Sequence, residues 1–250
     1  MENAIAVVIQ VAIGAAVAFV AWKLFWWWRD RRRRAAIRTL AEKCKAEFFD
    51  IADRATIDGL AEFELFTKRP EQRIENMLVQ RQSALLIAVF DYRWKSYGVD
   101  SDSGDTLERR TVVHVTSRRL RLPQFYLCPN RFWQKLTSIF REKIAFDDHP
   151  HFMRRYDLRG KQPAMVRELF HPGLLQMLET EPRTLVVEGG GNQFILFPQQ
   201  RGFFGDGRSQ PEEFPALLGL GEAFCQQLLT RAGTDEDIAE VNVEVIDDAE

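Results

Sequence analysis

Cysteine is scarce in this chain. Cys44, Cys128 and Cys225 are an odd number among 250 residues, far apart and without a CxxC spacing. That excludes a disulfide-stapled scaffold and a cysteine-built zinc site. The three read as reduced, mostly buried thiols in a cytosolic compartment. Signatures of catalysis are also missing. There is no GxSxG, no HExxH, no Cys/His nucleophile pattern and no kinase motif. Gly189-Gly190-Gly191 has neither the lysine and following helix of a phosphate-binding loop nor the spacing of a dinucleotide fingerprint, so it reads as a hairpin turn. No internal repeat is visible, and no cofactor is expected. Past Trp28 no apolar run is long enough to cross a bilayer; Ala84–Phe90 is far too short.

Net charge is small, −2, but the charges are segregated. Residues 1–34 hold six basic and two acidic side chains, a net +4, whereas residues 234–250 hold eight acids and no base, a net −8. The remainder is nearly balanced, which argues against nucleic acid as a partner.

The feature that stands out is the stretch Ala4–Trp28. A helix needs about 20 mostly apolar residues to cross a bilayer, and Ala4–Trp22 supplies them with one polar interruption, Gln10. Trp26, Trp27 and Trp28, with Trp22, gather at one end, as indoles do at headgroup level. Arg29, Arg31, Arg32, Arg33 and Arg34 follow at once and suit anionic headgroups. These eight residues, Trp26 to Arg29 and Arg31 to Arg34, are the candidate membrane-surface site, and the lipid bilayer is the first expected partner. A cleaved secretory signal carries its charge before a shorter apolar core, the reverse of this order. The positive-inside rule then places the N-terminus outside and everything after Arg29 in the cytoplasm.

From Arg31 to about Ile57, the apolar residues Ile37, Leu40, Ala41, Cys44, Phe48, Ile51 and Ala52 recur every three or four positions, the helical period. A helical stretch near Leu60–Phe66 follows. From Arg73 the period becomes two, predicting strands at Ile74–Gln80, Ala84–Lys95, Arg109–Ser117 and Arg119–Leu127. Asn130 is expected to cap a helix carrying Phe132, Trp133, Leu136, Ile139 and Phe140. Phe152–Arg159 alternates like a strand. Short helices are expected from Pro163 and over Leu174–Leu178, a hairpin over Thr184–Glu188 and Gln193–Phe197, and an amphipathic helix over Pro211–Leu229. The expectation is an α+β fold: an N-terminal transmembrane helix, then a largely antiparallel sheet of about six or seven strands with flanking helices. The expected organisation is an anchor at 1–28, a basic juxtamembrane segment and linker helix at 29–58, the α+β domain at 59–232 and an acidic disordered tail at 233–250.

Several segments carry a resemblance. Phe90-Asp91-Tyr92, the Leu120–Pro123 segment, Phe146-Asp147-Asp148-His149-Pro150-His151-Phe152-Met153-Arg154-Arg155-Tyr156 and Leu158-Arg159-Gly160 together look like a group of uncharacterised bacterial membrane-anchored proteins with one soluble domain. The resemblance spans roughly Leu60 to Leu229. It implies a bacterial inner-membrane setting and carries over no catalytic residue.

The densest set of ligand-type side chains is Asp147, Asp148, His149 and His151. Two histidines two apart on an extended segment face the same way, and Asp147 with His149 and His151 can hold a borderline metal ion that activates water. The same Asp148-His149-Pro150 can equally serve to fix a turn into the next strand. Arg118, Arg119, Arg121, Arg154, Arg155, Arg159 and Lys161 can form a basic patch or simply guard a sheet edge. The aspartates of 100–105 depart from the calcium-loop pattern and read as a solvated hairpin loop. The leading expectation is a membrane-tethered interaction or scaffold domain without catalytic activity, with a protein partner. The alternatives are a metal-dependent hydrolase built on Asp147, His149 and His151, or a small-ligand sensor.

Overall fold

The structure is a computed structural model that describes residues 2–67, 69–96, 106–130, 142–199 and 206–232, with side chains described at residue 10 and from 13 to 230 within those ranges. The helix expected after Asn130, the aspartate-rich loop 100–105 and the acidic tail 233–250 lie outside the described residues.

Eight antiparallel strands form one sheet: β1 Glu47–Ile51, β2 Arg73–Gln82, β3 Leu85–Ser96, β4 Thr106–Ser117, β5 Leu122–Pro129, β6 Tyr156–Gly160, β7 Leu185–Gly191 and β8 Gln193–Pro198. Their spatial order is β1-β2-β3-β4-β8-β7-β5-β6. The helices are α1 Glu2–Lys43, α2 Arg54–Gly59, α3 Pro150–Arg155, α4 Pro163–Leu169, α5 Pro172–Thr180 and α6 Phe214–Ala232.

Both faces of the sheet are covered, and the alternation of β3 shows how. Ile87 and Val89 point to a helical layer with Ile37 and Ala41 of α1, Leu174 and Leu178 of α5, and Leu217, Phe224 and Leu228 of α6. Ala88, Phe90, Tyr92 and Trp94 point the other way, under Ile57, Leu60, Phe63 and Phe66. Fully burying each such side chain stabilises the fold by roughly 1.5–3 kcal/mol, so neither layer is dispensable. Helix α6 lies close on β3 and β4 because Gly221 has no side chain; a Cβ there would stand 2.9 Å from Val113 and 3.3 Å from Ile87. The β7–β8 turn uses Gly191 at φ +60°, the left-handed region that glycine occupies freely.

Two parts of the expected fold are corrected. The sheet has eight strands, not six or seven, because β1 comes from sequence that reads as helix. Helix α1 ends at Lys43, Lys45 takes φ 51°, and the chain returns as an edge strand with Phe48 opposite Leu78. Phe48 and Ile51 satisfy a helical spacing, but hydrogen bonding to β2 overrides it. Second, the expected transmembrane helix is not found: among the described residues no helix is long and apolar enough to cross a membrane. From Ile13 onward the apolar residues of α1 are diluted by Lys23 and four tryptophans, then ended by Asp30 and five arginines. The second half of α1 is part of the domain, where Ile37 and Ala41 are buried.

A smaller difference concerns the segment 150–160. Pro150 opens a helical turn that runs to Arg155, and only Tyr156–Gly160 is strand. Phe152 and Tyr156 fit a spacing of four as well as an alternation of two, and proline at the first helical position decides for the helix.

Candidate functional site

The bulge in β2, where pairing with β3 shifts between Glu75 and Leu78, places Asn76 in the left-handed region at φ 52° and brings its amide onto Asp91. Asp91 continues the helix-facing row Ile87-Val89 of β3, so its carboxylate is directed at α1. Arg33 of α1 grips it in bidentate fashion, Nε to Oδ2 at 2.7 Å and Nη2 to Oδ1 at 2.8 Å. Asn76 Nδ2 and Thr111 Oγ1 each donate to it at 2.9 Å, and Thr111 Oγ1 in turn accepts from the Ser209 N–H at 2.9 Å. The pair is nearly dry, with side-chain exposures of 10 % for Arg33 and 3 % for Asp91. Each Asp91 oxygen accepts two of these hydrogen bonds, which offsets the cost of burying the ion pair.

A second layer of charge surrounds this lock. Arg208, only 4 % exposed, donates Nε to Asp206 at 2.8 Å and Nη2 to Asp30 of α1 at 3.1 Å. Arg29 reaches Asp206 at 3.0 Å, and Arg109 approaches Asp30 at 3.5 Å. Burial pushes the Asp206 carboxyl up, but the Arg208 hydrogen bonds and the charges of Arg208, Arg109 and Arg29 outweigh it and hold the group below the usual carboxylate range. Burial likewise opposes the Arg208 cation, and Asp206, Asp91 and Asp30 hold its pKa above the ordinary arginine value. Between α1 and the segment before α6 lies a cleft of about 450 Å³ lined by Arg29, Arg32 and Arg208 but also by Asp206, Glu212 and Glu213. Mixed signs make it a seam between elements rather than an anion cradle.

The other half of α1 is the opposite. Ile13, Val17, Phe19, Val20, Trp22, Leu24, Phe25, Trp27 and Trp28 are 49–63 % exposed. At its domain end arginines lie over the preceding indoles: Arg29 on Trp26 at 4.7 Å, Arg31 on Trp27 at 5.3 Å and Arg32 on Trp28 at 4.5 Å. Helical spacings of three and four bring these cations over those rings. Of the residues expected at a membrane surface, Trp26, Trp27, Trp28, Arg29, Arg31 and Arg32 therefore form one collar. Arg33 turns inward to Asp91, and Arg34 stands 3.8 Å from Asp50 of β1.

The second expected set does not come together. Asp147 and Asp148 lie in an exposed turn, His149 Nδ1 is 3.5 Å from Glu179, and His151 Nδ1 accepts from Arg154 at 2.9 Å. Among the described residues no three His, Cys, Asp or Glu side chains are grouped as a cation site needs. Elsewhere His114 is buried in β4, its Nε2 2.7 Å from Gln193 Oε1, and burial lowers its pKa. Burial pushes the Cys128 thiol up to about 12 and Cys225 to about 11, away from nucleophilic thiolate. On the sheet face away from α1, Glu188 accepts the Glu64 N–H with both oxygens at 2.9 Å, and burial raises its pKa to about 8.

The Arg33–Asp91 lock was not anticipated. Its one signal was an acid directly after the apolar run Ala84–Phe90, where a strand facing only solvent would explain it as easily.

No protein-family model matches the chain, and no curated protein matches it. The fold is an α+β domain on an eight-stranded antiparallel sheet. It is similar to the crystal structure of the mycobacterial trehalose monomycolate transport factor A, with a TM-score of 0.52 at 10% identity, covering 79% of this chain and 93% of that one. At that identity the likeness concerns the fold.

Proposed function

We propose that the protein is a non-catalytic interaction or scaffold domain that works against a membrane. The observation that carries this is the exposed apolar half of α1, closed by a tryptophan–arginine collar and continuous with a half that is locked into the sheet domain. A contiguous apolar surface of this kind marks an interaction site. Indoles with cations immediately beyond them match the layering of a lipid interface, hydrocarbon first and anionic headgroups next. Because Arg33 and Asp91 lock α1 to β3, whatever holds the first half of the helix also orients the sheet domain. A transport factor shares this fold, and an accessory role is the part of this reading carried over from it. The sheet domain would then act by holding a protein partner near the lipid.

Vesicle flotation of the purified full-length chain tests the membrane reading. The chain should float with phosphatidylcholine–phosphatidylglycerol vesicles. Arg31→Gln/Arg32→Gln should weaken binding roughly tenfold to thirtyfold, at about 1 kcal/mol per basic residue. A chain that stays with the soluble fraction at every lipid composition would refute it. Cross-linking in native membranes tests the scaffold reading: one partner recovered at near-equal abundance is expected, and recovery of the chain alone would count against it.

A further inference from the structure

Tyr92 and Trp94 lie on the face of β3 opposite Asp91, away from α1 and its collar. Their exposures are 0 % and 4 %, and their rings stack at 4.9 Å. The Tyr92 hydroxyl, the Trp94 Nε1–H and the Arg69 Nε–H are buried, and none has a hydrogen-bond partner among the described residues. The Arg69 guanidinium sits 4.9 Å from the Trp94 ring centroid, and that of Arg110 lies 5.9 Å from the same ring and 4.7 Å from Phe197. Among the described residues neither arginine has a carboxylate at ion-pair distance. Glu108, across from Trp94 on β4, is the acid whose charge acts on Arg110.

Buried polar groups are almost always paired, so three orphans in one place call for an explanation. Each of the three can donate, and the charges beside them are two guanidiniums against the single carboxylate of Glu108. The complement of such a set is a negatively charged acceptor. Burial chiefly lowers the Arg110 pKa, Tyr126 and Glu108 act against this, and the charge of Arg69 adds to it, which an anion between the two guanidiniums would relieve. Two guanidiniums lie against one indole, at 4.9 and 5.9 Å from its centroid, and a phosphoryl group has oxygens enough to accept from both and from the indole N–H.

We propose that this end of the sheet binds a phosphoryl group, bridged by Arg69 and Arg110 and accepting the Trp94 indole N–H. Free phosphate and a phospholipid headgroup share that chemistry. The site is independent of the membrane reading, since its residues lie on the other face of the sheet.

Indole N–H resonances of the full-length chain labelled with ¹⁵N-tryptophan, with Trp94 assigned through Trp94→Phe, give the test. Inorganic phosphate and dihexanoyl phosphatidic acid are each titrated against chloride at matched ionic strength. The Trp94 signal should move saturably while the collar indoles do not follow it. Arg69→Gln and Arg110→Gln should each weaken the response about tenfold, the loss of one charge-assisted contact. The remaining indole signals report that each variant is folded. Equal response to both probes assigns free phosphate, and response to the lipid alone assigns a headgroup; either supports the site. No movement with either probe, the same movement in chloride, or an undiminished response in Arg69→Gln would overturn it.

Discussion

The two halves of α1 reverse the usual partition of side chains. Residues 13–28, almost wholly apolar, are exposed apart from the half-buried Trp26, while the half that follows, rich in charge, holds buried Ile37 and Ala41 and the largely buried Arg33. Hydrophobicity alone therefore does not say which part of a helix is inside a domain. What decides is whether each group finds a partner: Arg33 finds Asp91, whereas Phe19 and Trp22 find each other but no domain. What the structure shows is an apolar helix surface left open on one side of the collar and a docked, charge-paired helix on the other.

The largest test of the contrast is the lock itself. Arg33→Met leaves Asp91 buried with a missing counter-charge and should cost about 3–5 kcal/mol, read as a fall in the urea midpoint. An unchanged midpoint would mean that α1 is not docked as described. Next, Ile37→Ala removes a fully buried side chain on the same half and should cost about 2–5 kcal/mol. The same truncation at exposed Val17 should leave the midpoint within about 0.5 kcal/mol, and equal effects at the two positions would erase the distinction between the halves.

A pH series separates the sheet from the helix. Glu188 has a folded pKa of about 8 against an ordinary 4.5, so the folded state holds its proton more tightly than the unfolded one. Its contribution is fully present below about pH 4.5 and is lost as pH rises through about 8. Glu188→Gln should remove that part of the decline between these limits, and changes in the exposed half of α1 should not. A decline equally steep in Glu188→Gln would assign it to other groups. The smallest effect on stability belongs to the collar: Trp26→Ser/Trp27→Ser/Trp28→Ser should shift the midpoint by no more than about 0.5 kcal/mol while abolishing vesicle flotation. A large loss of stability with flotation intact would invert the whole comparison.

Much of the sheet was legible in order. The alternation in Ile74–Gln80, Ala84–Lys95 and Arg109–Ser117 located β2, β3 and β4 to within a few residues, because one buried face imposes a period of two on the chain. The triple glycine located the β7–β8 turn for the same local reason. Strand β1 was not legible, since Phe48 and Ile51 satisfy a helical spacing and only the open edge of β2 makes them a strand. Nor were the donor-rich end of β3 or the lock, whose parts, Asn76, Asp91, Thr111 and Ser209, with Arg33, come from distant places in the chain. Asp147, His149 and His151 are close in sequence, yet the structure gives His149 to Glu179 and His151 to Arg154.

The sequence by itself determined the α+β class, the main hairpins and the collar, because these follow from side-chain period and from neighbours three or four residues apart. Tertiary structure alone decided the eighth strand, the inward turn of Arg33 and the pairing of Asp30 with Arg208. Each of those depends on contacts between residues far apart in the chain, and a buried charge is stable only where the fold has already assembled every partner it needs.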